Sequence, residues 1–328
     1  MKKTKIGLLG LGNIGTGTYK VLEMNRETIE KSLGLSVEIT RILEKDTGRD
    51  REIHVDPNKF TQDPQDIFND SSIEIVIELL GGVEPASTLM IDAMNHGKSV
   101  VTANKAAVAS NFLKLREAAT KNNVEFRYEA SVGGGIPVLK VMSSVLRANE
   151  FSEVLGIVNG TTNYILTQMT DNDLAYETAL ARAQDLGFAE ADPSADVEGV
   201  DAANKLTILT ALAFGDYIPP EEIPTEGITK VTPQQIEAAK SRGNKIKLIA
   251  RVAKEAGKVS ATVAPMELAI DHPLCGVNNE FNAIYITGNA VGELMFYGKG
   301  AGPLPTGSAV LGDVMDIIEW TNRGEGRK

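Results

Sequence analysis

The chain has 328 residues, room for about two domains at roughly 150 residues each. Its 42 % hydrophobic and 23 % charged residues describe a folded globular protein rather than a disordered, collagen-like or coiled-coil one. With 33 basic against 44 acidic side chains, a net charge of −11 argues against a sequence-independent grip on nucleic acid or on an anionic membrane. Cys275, the single cysteine, has no intrachain partner, and His54, His96 and His272 lack zinc-ligand spacing, so catalytic zinc is not expected. Residues 6–11 are too short for a signal core and no apolar run approaches the ~18 residues of a membrane span. A cytoplasmic protein is expected.

Residues 5–25 read as strand, glycine turn and helix: KIGLLG is apolar, and Ile14, Thr18, Val21 and Leu22 then recur at helical spacing. A second strand is predicted at 37–43. Further β-rich runs at 73–80, 99–103 and 124–128 alternate with helix-like stretches such as 86–96 and 105–122. That alternation predicts an α/β domain, a Rossmann-type doubly wound parallel sheet covered on both faces. At 128–137, YEASVGGGIP, glycines and a proline interrupt every periodic pattern, which predicts a domain boundary.

Beyond it, helical patterns at 137–147, 162–170, 173–186, 197–214 and 233–241 mix with strand-like runs at 152–158, 246–252, 258–264 and 281–287. This predicts an α+β domain suited to substrate and dimer contacts. From Gly300, AGPLPTGSAVLGDVMDIIEW reads as a turn leading into a helix with Val310, Val314, Ile317 and Ile318 on one stripe. The expected division is 1–129 for nucleotide binding, completed by 302–321, with 130–301 between and a disordered tail at 322–328.

Gly10, Gly12 and Gly15 form G-x-G-x-x-G after a strand and at the start of a helix, with Asn13 and Ile14 inside the motif. Such a turn lets the backbone approach a pyrophosphate while helix amides face it, so NAD or NADP is expected. A tight turn without a ligand is the competing reading. The second strand runs into Arg41, Glu44, Lys45 and Asp46, with Arg49 and Arg51 beyond. It offers a carboxylate for a ribose hydroxyl and cations for a 2′-phosphate, which leaves NAD against NADP open.

Within 183–205, AQDLGFAEADPSADVEGVDAANK, Asp201 and Lys205 fall four apart on one helical face. That spacing commonly marks an exposed salt bridge. Here the face continues through Ile208 and Leu212 into a helix that is apolar nearly all round, so the pair is expected at the mouth of a buried helix, where charges need partners or a ligand.

Ala183, Gly187, Asp192, Pro193, Asp196, Gly199, Asp201 and Lys205 together resemble the homoserine dehydrogenase family pattern without a gap. The likeness extends to residues 10–15, to TANK at 102–105, to the glycine-rich 129–137, to NGTTNY at 159–164 and to AGPLPT at 301–306, so it spans essentially the whole chain. It implies reversible hydride transfer between NAD(P)H and aspartate 4-semialdehyde, giving homoserine on the threonine and methionine branch, in a homodimer. Reducing an aldehyde needs a proton donor and a cationic field, which a lysine of lowered pKa supplies.

By this resemblance Lys205 is the general acid and base, and Lys105 is a second cation that also meets the cofactor. Asp196 would orient Lys205, Glu190 and Asp201 would accept the substrate's α-ammonium group, and Gly160 and Thr161 would line the substrate. Gly187, Glu190 and Gly302 would add cofactor contacts. The 129–136 segment resembles the family's monovalent-cation loop, with carbonyls of Glu129, Val132, Gly134 and Ile136 around a sodium ion, although a plain interdomain hinge fits the same glycines. Many members carry a C-terminal threonine-sensing domain; the chain ends soon after Trp320, so feedback through such a domain is not expected. The alternatives are a dehydrogenase of another amino-acid aldehyde and a non-catalytic dinucleotide sensor.

Overall fold

The computed structural model describes residues 2–322; the expected tail, apart from Asn322, lies outside them. The chain divides into two compact units, one formed by residues up to Gly135 together with those from Gly302 on, the other by Ile136–Ala301.

The first unit runs β1 (Lys3–Leu9), α1 (Asn13–Met24), α2 (Arg26–Leu33), β2 (Ser36–Leu43), β3 (Phe60–Thr61), α3 (Gln65–Phe68), β4 (Ile73–Glu78), α4 (Ala86–Asn95), β5 (Ser99–Thr102), α5 (Lys105–Lys121) and β6 (Phe126–Arg127). Among the described residues the strands lie in the order β3-β2-β1-β4-β5-β6, every pair parallel. The order reverses between β1 and β4, and a doubly wound sheet opens its ligand crevice at that point, beyond the strands' carboxyl ends. Successive strand residues feed opposite faces. Leu8, Ile77 and Val101 enter one core with Leu22 and Val37, whereas Leu9, Val76 and Val100 enter the other with Met90 and Leu115. Both faces are covered, which is why these strands read as unbroken apolar runs. At the sheet edges β6 is shorter than the predicted 124–128, and β3 carries no periodic signal because it is two residues long.

The second unit contains α6 (Leu139–Ser143), β7 (Phe151–Ile157), α7 (Gly160–Asp171), α8 (Tyr176–Asp185), α9 (Ser194–Val197), α10 (Val200–Phe214), α11 (Pro233–Ser241), β8 (Asn244–Glu255), β9 (Lys258–Ala269), β10 (Phe281–Gly288) and β11 (Gly292–Lys299). Its sheet is antiparallel in the order β11-β10-β7-β8-β9. β8 and β9 are longer than predicted because they share one hairpin, closed by Ala256 and Gly257 at φ of 48° and 80°, a backbone that matches the twist of the flanking strands. β11 escaped prediction: only every second residue is partly covered, and glycines interrupt it.

The last element, α12 (Pro303–Asn322), belongs to the first unit. It begins at Pro303, inside the stretch read as a turn, since first-turn amides have no intrahelical acceptor and proline there loses nothing. It crosses α1 at backbone distance: a Cβ on Gly17 would lie 2.2 Å from the Pro303 carbonyl oxygen, and one on Gly307 would lie 2.8 Å from the Thr18 Cα. Val310, Val314, Ile317 and Ile318 then fill the core against Ile6 and Leu8.

Candidate active site

At the carboxyl end of β1, Gly10 turns the chain at φ of 93°, and a Cβ on Gly15 would lie 2.3 Å from the Gly10 carbonyl oxygen. Helix α1 can therefore start this close to the strand only without side chains at both positions. Gly12 is different. Apart from its immediate chain neighbours, no heavy atom lies within 4 Å of where its Cβ would be, and as the N-cap of α1 it places no side chain over the helix amides. An open helix N-terminus approached by bare backbone suits a pyrophosphate, so the residues present fit a dinucleotide. Asn13 and Ile14 open α1 beside it.

The carboxylate after β2 has a local task. Glu44 accepts from the amides of Leu11 at 2.9 Å and Asp46 at 3.0 Å and pairs with Arg51 at 3.3 Å. Burial works against its charge, but these amides and Arg51 hold its pKa below the ordinary value. Arg51 also donates to the carbonyls of Leu11 and Asp46, at 2.7 and 2.5 Å. Arg49 and Lys20 line, with Gly12 and Asn13, a concavity of about 560 Å³.

At the ends of β4 and β5, Glu78 is fully buried and accepts from the Thr102 hydroxyl at 2.6 Å, the Leu80 amide at 2.7 Å and Asn104 Nδ2 at 3.5 Å. Burial pushes its carboxyl above the usual range against these bonds. Asn104 also donates to the Gly82 carbonyl at 2.7 Å and caps α5 by accepting from the Ala107 amide at 3.1 Å. Lys105, half-buried, is the first residue of that helix, so the Glu78 network sets where it starts.

In the second unit α10 carries Asp201 and Lys205, both buried. The Lys205 ammonium donates to Asp201 Oδ2 and to the Val158 carbonyl, each at 2.6 Å. Asn159, the N-cap of α7, accepts from the Thr162 amide at 2.9 Å while its Nδ2 donates to Asp201 at 2.9 Å and to Asp196 at 2.7 Å. Thr161 donates to the Phe188 carbonyl at 2.5 Å and to Asp196 Oδ2 at 3.1 Å. The fold thus gathers Gly160, Thr161, Asp196, Asp201 and Lys205 round the first turn of α7. Asn159 links both carboxylates; sequence reasoning had it only within the NGTTNY motif and gave it no role of its own, because the helix was predicted from 162 whereas it starts at Gly160 with Asn159 as its cap.

Other expected residues lie elsewhere. Glu190 and Gly187 are exposed on the segment after α8, where Gly187, at φ of 74°, closes that helix. Gly302, at φ of 120°, precedes α12. Glu129 sits in a short turn whose amide donates to the buried Asp313 carboxylate at 2.9 Å; burial pushes that carboxyl up to about 7. Val132 follows, then Gly133 and Gly134, both left-handed at φ of 74° and 57°; Ile136 is the first residue of the second unit. Among the described residues no cluster of His, Cys, Asp or Glu side chains could hold a metal ion.

Residues 10–129 match the family model of the homoserine dehydrogenase NAD binding domain, and residues 137–315 match that of homoserine dehydrogenase. The chain is 41 % identical to the homoserine dehydrogenase of Bacillus subtilis over 319 residues, covering 97 % of this chain and 74 % of that protein. Among solved structures, a homoserine dehydrogenase from Thiobacillus denitrificans superposes with a TM-score of 0.94 at 39 % identity, covering 98 % of this chain and 75 % of that one. A hyperthermophilic archaeal homoserine dehydrogenase in complex with NADPH does so at 0.82 and 27 % identity, covering 97 % and 98 %. By family model, by relatives and by fold, the chain belongs to the homoserine dehydrogenases, NAD(P)-dependent oxidoreductases.

Proposed function

We propose that this chain interconverts aspartate 4-semialdehyde and homoserine with Lys205 as the proton donor and acceptor, and that it favours NADP. The observation that carries the first part is the buried Lys205 ammonium, held at 2.6 Å by both Asp201 and the Val158 carbonyl at the mouth of an apolar helix. A dinucleotide held at the Gly10–Gly15 turn would supply the hydride for the aldehyde carbon. The aldehyde oxygen gains negative charge in that step, and an ammonium fixed in a poorly hydrated site stabilises it and then gives up a proton, leaving a hydroxyl. In the reverse direction the amine takes the proton back. Asp201 and Asp196 keep the neighbourhood negative, which suits the substrate's α-ammonium group as well as the lysine. Gly160 and Thr161 stand beside these carboxylates on the first turn of α7, while the roles of Lys105, Glu190, Gly187 and Gly302 rest on family likeness.

The preference for NADP is supported by the end of β2. Glu44 is committed to the Leu11 amide and Arg51, which removes the usual partner of a ribose hydroxyl, while Arg49 and Lys20 border the concavity beside Gly12. A monovalent cation on the 129–136 loop remains part of the proposal, because left-handed Gly133 and Gly134 allow consecutive carbonyls to turn together. A homodimer and a cytoplasmic setting complete it by family likeness; among the described residues no helix is long and apolar enough to cross a membrane.

The test is absorbance of the reduced nicotinamide during incubation with homoserine and each dinucleotide. Turnover with homoserine, faster with NADP, is the expected outcome. Silence with both dinucleotides overturns the activity, and faster turnover with NAD overturns the preference.

A further inference from the structure

A second buried lysine lies in the same unit and takes no part in the chemistry above. Lys247, on β8, is 2 % exposed. Its ammonium donates to Asn163 Oδ1 at 3.0 Å, to the Val277 carbonyl at 2.6 Å and to Asn278 Oδ1 at 3.2 Å. All three acceptors are neutral, and among the described residues this ammonium meets no carboxylate. Its titratable neighbours are Lys245 and Asp171, which pair with each other at 3.6 Å, and the neutral Cys275 thiol. Burying an ammonium without a counter-charge is expensive, and a methionine or leucine would fill a strand position without that penalty. Packing alone gives no reason for a lysine here.

The reason is visible in what its partners hold. Asn163 lies on α7 one turn beyond Asn159, and its Nδ2, with two hydrogens shared among three acceptors, faces the carbonyls of Val277, Asn279 and Phe281 at 3.2, 2.9 and 3.0 Å. The Asn279 amide in turn donates to the Thr167 hydroxyl of α7 at 3.1 Å. This loop, 277–281, presses on the start of the helix, since a Cβ on Gly160 would lie 2.8 Å from the Glu280 carbonyl oxygen. Residues four apart on a helix share a face and are about 6 Å apart along it. A shift at Asn163 therefore moves Asn159, which holds Asp196 and Asp201.

We propose that Lys247 is a positioning residue for the substrate pocket: its ammonium serves as a built-in cation that ties the 277–281 loop to α7 and fixes the helix start carrying Asn159, Gly160 and Thr161. This rests on the functional reading above. Replacing the lysine should loosen homoserine binding while leaving the dinucleotide turn of the other unit unaltered, and a small amine should restore what the truncation removes.

The experiment compares the wild type with Lys247→Ala and Asn278→Ala in steady-state homoserine oxidation, with dinucleotide affinity from nicotinamide fluorescence and Tm from calorimetry. For Lys247→Ala the expected result is a KM for homoserine raised about tenfold, a smaller change in kcat, dinucleotide affinity within about twofold, and recovery of KM with added methylammonium. Asn278→Ala, which keeps the ammonium and loses one half-buried acceptor, should raise KM about threefold at nearly unchanged Tm. An unaltered KM in either folded variant overturns the proposal, as does a rise that methylammonium leaves in place. If Lys247→Ala does not fold, Asn278→Ala decides. If the wild type does not oxidise homoserine, the functional reading falls instead, and the cage is judged by Tm: methylammonium must raise that of Lys247→Ala, and tetramethylammonium, which has no N–H, must not.

Discussion

At the head of α7 one buried ammonium, Lys205, meets the carboxylate of Asp201; one turn further along, another, Lys247, meets only amide and carbonyl oxygens. The two sites use the same functional group in opposite electrostatic settings. Where the acid is present, its charge favours the ammonium form, so the lysine holds its proton until negative charge developing on a substrate draws it off. Where only neutral oxygens are present, the ammonium acts through the directions of its N–H bonds, and its solvation penalty is borne by the fold. On the functions proposed above, the comparison sets a group kept for reaction against a group kept for shape.

Removing the reactive member should have the largest effect. Lys205→Ala is expected to lower kcat by about 10³-fold with dinucleotide affinity within about twofold, read by stopped-flow absorbance and fluorescence titration. Activity close to wild type would erase the distinction between the two lysines.

The next effect is one of stability. Burial, and after it the charge of Lys245, brings the Lys247 pKa from 10.5 down to about 8. Below about pH 8 folded and unfolded chains both carry this proton, so the burial penalty is fully present. Between about 8 and 10.5 the unfolded chain holds the proton that the folded one has released, so stability rises with pH. Relative to Lys247→Met, in which other titrations cancel, wild-type stability should increase by up to about 3 kcal/mol across that window. Denaturant melts at stepped pH measure it; a flat difference would mean that Lys247 is solvated like a surface lysine.

Asn159→Ala tests the link between the two levels. It removes the donor shared by Asp196 and Asp201 together with the α7 cap, and kcat/KM should fall about 10- to 100-fold while stability drops by about 1 kcal/mol. The smallest effect is expected for Thr161→Val, which keeps the shape and loses one hydroxyl bonded to Phe188 and Asp196: a few-fold rise in KM, or about 1 kcal/mol. If Thr161→Val exceeded Asn159→Ala, the carboxylates would be held from the Phe188 side.

What the sequence made legible follows from where the physics is local. The turn at Gly10, Gly12 and Gly15 could be read because each glycine answers a contact within a few residues or an open approach. Asp201 and Lys205 could be read because helical spacing puts them together. Lys247 could not: within the predicted strand 246–252 it looked like any alternating residue, and its acceptors come from α7 and from a loop some 30 residues later. β11 was lost for a related reason, since its pairing with β10 is written in register rather than in composition. The early start of α12 was hidden by prolines that usually end helices, yet Pro303 occupies the one turn that tolerates them.

The crossing of α12 over α1 makes the nucleotide-binding unit complete only after residues 136–301 have been synthesised. Until Val310, Val314 and Ile317 emerge, Ile6, Leu8, Tyr19 and Leu22 have one side of their core uncovered while residues 136–301 are synthesised. Nascent chains of this protein therefore carry an apolar face for about ten to forty seconds at typical elongation rates, an interval in which a chaperone has most to offer and a release from the ribosome before Pro303 would leave a sticky, half-built product.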